Sequence, residues 1–269
     1  MDFLLTLRFN YARMCLKNIN IFMMQTKVYK MNLITYDLTD STNERAREYA
    51  RGGGEMPALF IANGQTGGRG RRGRSFDSER GAGLYMTLLF KPDGSDTTLI
   101  TVRAAVALSR AIERVSGLSP EIKWVNDLTV RGKKLSGILA EGDFDECGRL
   151  RFCALGIGVN LLMRDFPEEL SDIVTTLEGE TGKRISPETL SEAFVREFYS
   201  TGMPSDIIAE YRRRSSVIGE RVEVRRISGE VFSADVLDVT DTGALLVRRE
   251  DGSTEELISA EVSIRRGSV

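Results

Sequence analysis

A mixed-sheet α/β (α+β) domain followed by a small all-β barrel is the fold this 269-residue sequence predicts. From residue 31 to 216, apolar runs of strand length alternate with helical periodicities. From Val217 the chain changes to short strands separated by Ser-Gly, Asp-Thr-Gly and Asp-Gly turns. The composition, 41% hydrophobic and 28% charged, belongs to an ordinary globular protein with core enough for a large domain and a small one. The expected organisation is therefore an extension over residues 1–30, a catalytic-size domain over 31–216 and a β domain over 217–269.

The extension stands apart because its apolar patches, Phe3-Leu4-Leu5 and Ile21-Phe22-Met23-Met24, are interrupted by Arg8, Arg13, Lys17 and asparagines. Neither patch is long enough to span a bilayer, and no small-residue cleavage site follows a continuous apolar core. The segment is expected to be dispensable, and the protein to be cytoplasmic. Asn32 to Tyr36 then reads as a strand. Ser41-Thr42-Asn43-Glu44 fits a capping box opening a helix to Arg51, stopped by Gly52-Gly53-Gly54. Ala58 to Ala62 and Leu84 to Phe90 read as strands. A helix from Thr98 to Ser116 keeps Leu99, Val102, Val106, Leu108 and Ile112 at helical spacing. Strands follow at Ile122–Val125, Leu128–Val130, Leu135–Glu141 and Leu150–Val159, the second and third joined by an Arg131-Gly132-Lys133 turn. Helices over Pro187–Tyr199 and Pro204–Ser215 complete the domain. The strands of the β domain are Arg221–Arg225, Val231–Val239, Ala244–Arg249 and Val262–Arg265.

The chain contains no histidine. That removes Ser-His-Asp and Cys-His nucleophiles, His-ligated metals and His proton shuttles. Three scattered cysteines, Cys15, Cys147 and Cys153, make neither a disulfide framework nor a zinc site. Chemistry here must run on Lys, Arg, Asp, Glu and backbone dipoles, a set suited to nucleotidyl and phosphoryl transfer.

Gly68-Arg69-Gly70-Arg71-Arg72-Gly73-Arg74 places four guanidinium groups and three glycines in seven residues, between two apolar strands. Such a loop suits phosphate or carboxylate oxygens. It spells GxGxxG and imitates a Walker A loop, but Ser75-Phe76-Asp77-Ser78 follows where both patterns require a helix. A solvated RNA-binding tract is disfavoured by the apolar flanks and by the net charge of −2.

Five segments fall in order: Asp40-Ser41-Thr42-Asn43; Gln65 to Arg74; Lys123-Trp124-Val125-Asn126-Asp127-Leu128; Lys134-Leu135-Ser136-Gly137-Ile138-Leu139-Ala140-Glu141; and Gly156-Ile157-Gly158-Val159-Asn160. Together they closely resemble the biotin protein ligases over Leu33 to Arg265. The resemblance implies a mixed-sheet catalytic domain with an SH3-like C-terminal domain. It also implies activation of biotin by ATP with Mg²⁺ to biotinyl-5′-adenylate, then transfer to one lysine of a biotin carboxyl carrier protein. A lipoate ligase of the same fold family is the alternative, although its motif contains a histidine that this chain lacks. Some relatives carry an N-terminal DNA-binding domain of about sixty residues. This chain is expected to be the short type, with no DNA or membrane partner, and homodimerisation stays open.

Carried over by motif, the resemblance assigns Ser41, Thr42, Asn43 and Gln65 to biotin's ureido ring. Neutral hydroxyls and amides are the partners that an uncharged donor and acceptor set needs. Ser41 is equally suited to capping the helix. Arg69, Gly70 and Arg71 would close over biotin and the adenylate, with Arg74 and Phe76 on the nucleotide side. Lys134 would bridge biotin's carboxylate and the α-phosphate with help from Arg71, or be a surface lysine beside Lys133. Lys123, Asn126, Asn160 and Arg265 would meet ATP. Asp127 would hold the metal, position the incoming ammonium or accept its proton. Gly137, Gly156 and Gly158 would let backbone approach the ligand, or mark strand bulges. Val125 stands where the family has proline and Phe76 where it has tryptophan, while Trp124 reads as a buried strand residue.

Overall fold

The computed structural model describes residues 14–16, 19–25, 30–92 and 99–264. In chain order the elements are β1 (Met14–Leu16), β2 (Ile19–Gln25), β3 (Lys30–Tyr36), α1 (Thr42–Arg51), β4 (Ala58–Ala62), a 3₁₀ turn (Arg71–Gly73), β5 (Gly83–Phe90), α2 (Ile100–Ser116), β6 (Glu121–Lys123), β7 (Asp127–Val130), β8 (Lys133–Phe144) and β9 (Leu150–Asn160). Then come α3 (Glu168–Ser171), α4 (Leu177–Thr181), α5 (Pro187–Ser200), α6 (Pro204–Arg214), β10 (Arg221–Arg225), β11 (Val231–Val239), β12 (Leu245–Arg249), β13 (Thr254–Leu257) and β14 (Glu261–Ile264). The short α3 and α4 carry too few turns to show a helical period in sequence. β13, which reads Thr-Glu-Glu-Leu, has a charged edge pattern that hides it.

Packing divides the chain into two compact units, Met1–Ser95 with Leu139–Arg164, and Asp96–Ile138 with Asp165–Val269. The expected boundary at residue 217 marks a change of topology, but the β strands beyond it share a unit with α2, α5 and α6.

The first unit is built on strands in the order β1-β2-β3-β4-β5-β9-β8, to which β8 contributes its C-terminal half. β3 and β4 are parallel, while β4–β5 and β5–β9 are antiparallel. The central strands are buried on both faces, which explains why ALFIA and GLYMTLLF read as unbroken apolar runs. α1 lays Ala46 against a cluster of Ile34, Ala58, Phe60, Leu89, Phe152 and Ala154, and Tyr49 meets the Phe60 ring edge-on at 5.5 Å. Before Met31, the described residues pair as strands. β2 pairs with β3 from Ile19↔Tyr36 to Gln25↔Lys30, and β1 pairs with β2.

In the second unit, α2 ends on Gly117 in the left-handed conformation (φ 82°) and packs on α5 and α6. Arg110 and Arg214 both reach Glu210 of α6, and Arg114 pairs with Glu197 of α5. β6 and β7 form a hairpin whose turn holds Trp124. The Trp124 side chain is buried as expected, although it lies in the turn and not in a strand. Its indole N–H donates to Gly243 O at 3.0 Å, tying the hairpin to the C-terminal strands of its own unit. β7 and β8 turn through Arg131 (φ 51°) and Gly132 (φ 79°), the twist a two-residue hairpin needs. The C-terminal strands form an antiparallel sheet, β13-β12-β11-β10-β14, closing over Val222, Val224, Ala234, Val236, Leu245 and Val247. Among the described residues, no helix is long and apolar enough to cross a membrane.

Candidate active site

In the first unit, Thr42 and Asn43 occupy the first turn of α1, Gln65 lies between β4 and the arginine loop, and Thr87 sits mid-way along β5. Ser41 is the N-cap residue, but its side chain makes no capping hydrogen bond, so the expected capping box does not form. Gln65 takes over that function. Its Oε1 accepts the Thr42 N–H at 2.8 Å and the Thr42 hydroxyl at 3.1 Å. Asp40 accepts the Ser41 N–H at 2.7 Å. Partial burial pushes its carboxyl up, yet this bond, the Thr39 hydroxyl and Arg45 together hold it below the ordinary aspartate value.

From Gln65 the polar contacts run both ways. Its Nε2 donates to Ser78 Oγ at 3.0 Å, and that hydroxyl donates to Phe76 O at 2.9 Å. On the other side the Thr87 hydroxyl lies 2.8 Å from Thr42 Oγ1 and 2.6 Å from Asn43 Oδ1. Asn43 Nδ2 donates to Glu141 Oε2 at 2.8 Å. Arg47 bridges Glu141 and Glu44 at 3.5 Å each, and Glu44 meets Arg69 at 3.2 Å. The chain of contacts thus begins at Arg69 and ends at Phe76, the two sides of the arginine loop. Ser78, Thr87 and Glu141 were not among the sequence-assigned site residues. The signal for Thr87 was a lone polar residue inside an otherwise apolar strand.

The loop itself is a small hairpin. Phe76 N donates to Gly68 O at 3.0 Å and Gly70 N to Arg74 O at 2.7 Å, with Arg69 bridged to Ser75. At its tip, Arg72 adopts φ 58°, ψ 36°, an uncommon conformation for a residue with a side chain. Gly68 is required at the base: a Cβ there would lie against Phe76 O and 2.5 Å from Ser78 Oγ. The Phe76 ring packs edge-on against Tyr85 at 6.4 Å and covers Gly158, where a Cβ would sit 2.5 Å from the ring. Burial pushes the Tyr85 phenol up to about 12, so it stays a neutral donor, to Glu79 O at 2.9 Å. Arg164 braces Asp77 and Glu79 just beyond the loop.

Gly156 faces Thr87 across the β5–β9 pair, as Gly158 faces Tyr85. Both glycines are only half-buried, and a Cβ on Gly156 would overlap the Asn43 amide. Neither glycine is a bulge; the register through them is regular. Asn160 ends β9, buried, opposite Gly83.

In the second unit, Lys134 Nζ lies 2.8 Å from Asp127 Oδ1, both side chains partly exposed. A register shift between Leu128 and Thr129 sets Asp127 opposite Gly137 and Thr129 opposite Lys134. Lys133 goes elsewhere, to Ser171 O at 3.2 Å. Asn126 lies in the β6–β7 turn, its Nδ2 donating to Ile138 O at 2.8 Å while its carbonyl accepts Ile138 N. Lys123, opposite Asp127, is half-buried. The Trp124–Val125 peptide bond is cis. Arg265 lies outside the described residues. Among the described residues, no group of three or more Asp, Glu or Cys side chains is placed to hold a metal. A lone Asp127 suits an ion that arrives already bound to nucleotide phosphates.

Residues 36–160 match the biotin/lipoate A/B protein ligase family, and residues 217–265 match the biotin protein ligase C-terminal domain. The chain is 33% identical over 253 residues to the bifunctional ligase/repressor BirA of Bacillus subtilis (strain 168), spanning 90% of this chain and 77% of that one. It is 32% identical over 229 residues to the biotin–[acetyl-CoA-carboxylase] ligase of Paracoccus denitrificans, spanning 80% and 93%. A solved biotin protein ligase from Aquifex aeolicus, in complex with biotin and ATP, has a TM-score of 0.73 at 26% identity, covering 87% of this chain and 99% of that one.

Proposed function

This chain belongs to the biotin protein ligase family, and from that premise we propose how its residues divide the reaction that the family performs, biotin activation by ATP and transfer to protein. In the first step a biotin carboxylate oxygen attacks the α-phosphorus of ATP, pyrophosphate leaves, and a mixed anhydride forms. In the second a lysine amine attacks the biotinyl carbonyl carbon, AMP leaves, an amide forms and one proton is lost.

The observation that carries this reading is the run of neutral donors and acceptors, Thr42, Asn43, Gln65 and Thr87, linked by hydrogen bonds in the unit that bears the arginine loop. Ser41, Thr42, Asn43 and Gln65 hold the ureido ring. Gly156 makes room for the Asn43 amide and Gly158 for the Phe76 ring, the two side chains that border the ligand's approach. Arg69, Gly70, Arg71 and Arg74 enclose the anhydride, and Phe76 supplies an aromatic face to the nucleotide. Lys134 neutralises the two anions that must meet, and Lys123, Asn126, Asn160 and Arg265 serve ATP, which enters with Mg²⁺. Gly137 lets the backbone beside Asp127 come close.

The Lys134–Asp127 pair fits this role. A partly exposed ion pair is worth only about 0.2–1 kcal/mol, so the ammonium can turn to a substrate anion at little cost. A fixed donor of this kind contributes about a hundredfold to a thousandfold in rate. The acceptor of biotin is a carrier-protein lysine, the reaction takes place in the cytoplasm, and neither DNA nor membrane takes part.

Pyrophosphate exchange into ATP, run separately with biotin and lipoate, tests the reading. Biotin-dependent exchange is expected, with none for lipoate; equal exchange with lipoate would overturn the choice of substrate.

A further inference from the structure

Thr87 carries one hydroxyl proton and faces two oxygens, Thr42 Oγ1 at 2.8 Å and Asn43 Oδ1 at 2.6 Å. What else those oxygens can receive is fixed from the two ends of the contact chain. At one end stands Phe76 O, which can only accept. It takes the Ser78 proton, so Ser78 Oγ must accept from Gln65 Nε2. Gln65 is thereby turned with Oε1 toward α1, where it consumes the Thr42 hydroxyl proton. Thr42 Oγ1 is left able only to accept.

At the other end stands Glu141, a carboxylate next to the Arg47 guanidinium and likewise only an acceptor. It takes the Asn43 NH₂ and turns Oδ1 toward Thr87. Two nearly buried oxygens therefore compete for one proton, and the cluster is one donor short. An acceptor left without a donor in such a place is unfavourable, and a ligand N–H removes the deficit. The cluster comes nearest to solvent beside Gly156, which lies opposite Thr87 and is only half-buried.

We infer that Glu141 is a positioning residue that sets the polarity of this cluster, and that the cluster selects its ligand through an N–H donor delivered to Asn43 Oδ1 or Thr42 Oγ1. The inference rests on the biotin ligase reading above, under which that donor is a ureido N–H. Glu141 touches no substrate; it acts through Asn43. The Asn43 NH₂ also reaches Leu139 O, at 3.4 Å, the longer of its two bonds. With glutamine at position 141 the side chain can donate as well as accept, only that long bond opposes a flip of Asn43, and a flipped NH₂ meets a ligand N–H head-on.

The test compares biotin with its two cyclic carbamate analogues, in which one ureido N–H is replaced by a ring oxygen of similar size. The parent chain should prefer biotin to at least one carbamate by about a hundredfold or more in KM, because a site built for a donor rejects a ligand lacking it. Glu141→Gln should raise the biotin KM by about tenfold or more, leave kcat within about threefold and reduce the preference to a few-fold. In an Asn43→Ala background the same change should do nothing further, since the two residues act as one unit. Thr87→Val, which removes the contested proton and keeps the shape, should retain the preference for N–H, and it serves as the test should Glu141→Gln not fold. An unchanged preference in Glu141→Gln, an equal loss in the Asn43→Ala background, or loss of the preference in Thr87→Val would each overturn the inference. A parent chain that does not bind biotin overturns the functional reading instead, and does so before any variant is made.

Discussion

The Lys134 ammonium and the Asp127 carboxylate lie 2.8 Å apart, one strand across from each other, while Lys133 turns away to Ser171 O. In the proposed reaction the carboxylate aims the lysine that neutralises the two anions of the first step. Asp127→Asn is expected to slow adenylate formation about a hundredfold. Single-turnover transfer from preformed biotinyl-adenylate should stay within a few-fold of the parent rate, because ATP and its metal are already consumed. A comparable loss in that transfer would make Asp127 the proton acceptor of the second step.

Arg71 sits at the tip turn of a small hairpin held by the Gly68–Phe76 and Gly70–Arg74 bonds and by Arg74 N donating to Arg71 O at 3.2 Å. Arg71→Gly should let the adenylate escape and raise nonspecific labelling of lysines on a bystander protein. Hydrogen exchange across residues 68–76 should slow when biotin and ATP are added to the parent chain. Exchange that does not change on ligand addition would show that the loop does not close.

A chain beginning at Met31 should keep adenylation within twofold, since the residues proposed for the site begin at Ser41. Its melting temperature should fall by roughly 2–6 °C, because β2 pairs with β3 along its whole length and its removal leaves β3 with an unpaired edge. An unchanged melting temperature would mean that β1 and β2 add nothing to stability.

Burial pushes the Glu210 carboxyl up, but hydrogen bonds from Arg110 and Arg214 outweigh it and hold the group below the ordinary glutamate value of 4.5. A carboxyl lowered in the folded state gives stability that is fully present above that value and is lost as pH falls through the lower one. Melting temperature should therefore decline below about pH 4.5 in the parent, with a shallower decline in Glu210→Gln. Identical slopes for the two chains would remove Glu210 from the acid response.

Much of this was legible in the sequence, for reasons that differ by element. The hairpin turns of the C-terminal sheet were visible because Gly229, Gly243 and Gly252 each take a positive φ, which the sequence announces as Ser-Gly, Asp-Thr-Gly and Asp-Gly. The strands around Phe60 and Leu88 were visible because two-sided burial makes apolar runs. Ser41 was half legible: its place at the helix start was clear, but the Ser-x-x-Glu spacing implied a cap that a residue 24 positions later supplies. Glu141 was quoted only as the end of a motif, since its meaning depends on Asn43, 98 residues away. Local pattern reveals elements. Hydrogen-bond partners across the fold need coordinates.

Gly156 has a genetic consequence. Every missense change available to a glycine codon adds at least a carbon, and here any such carbon falls on the Asn43 amide. The position has no mild allele. In a saturation scan under selection for biotinylation, codon 156 should accept only synonymous third-base changes. It should lose its alanine variant about as fast as Lys134 loses any of its own, even though no charge or reacting group is involved.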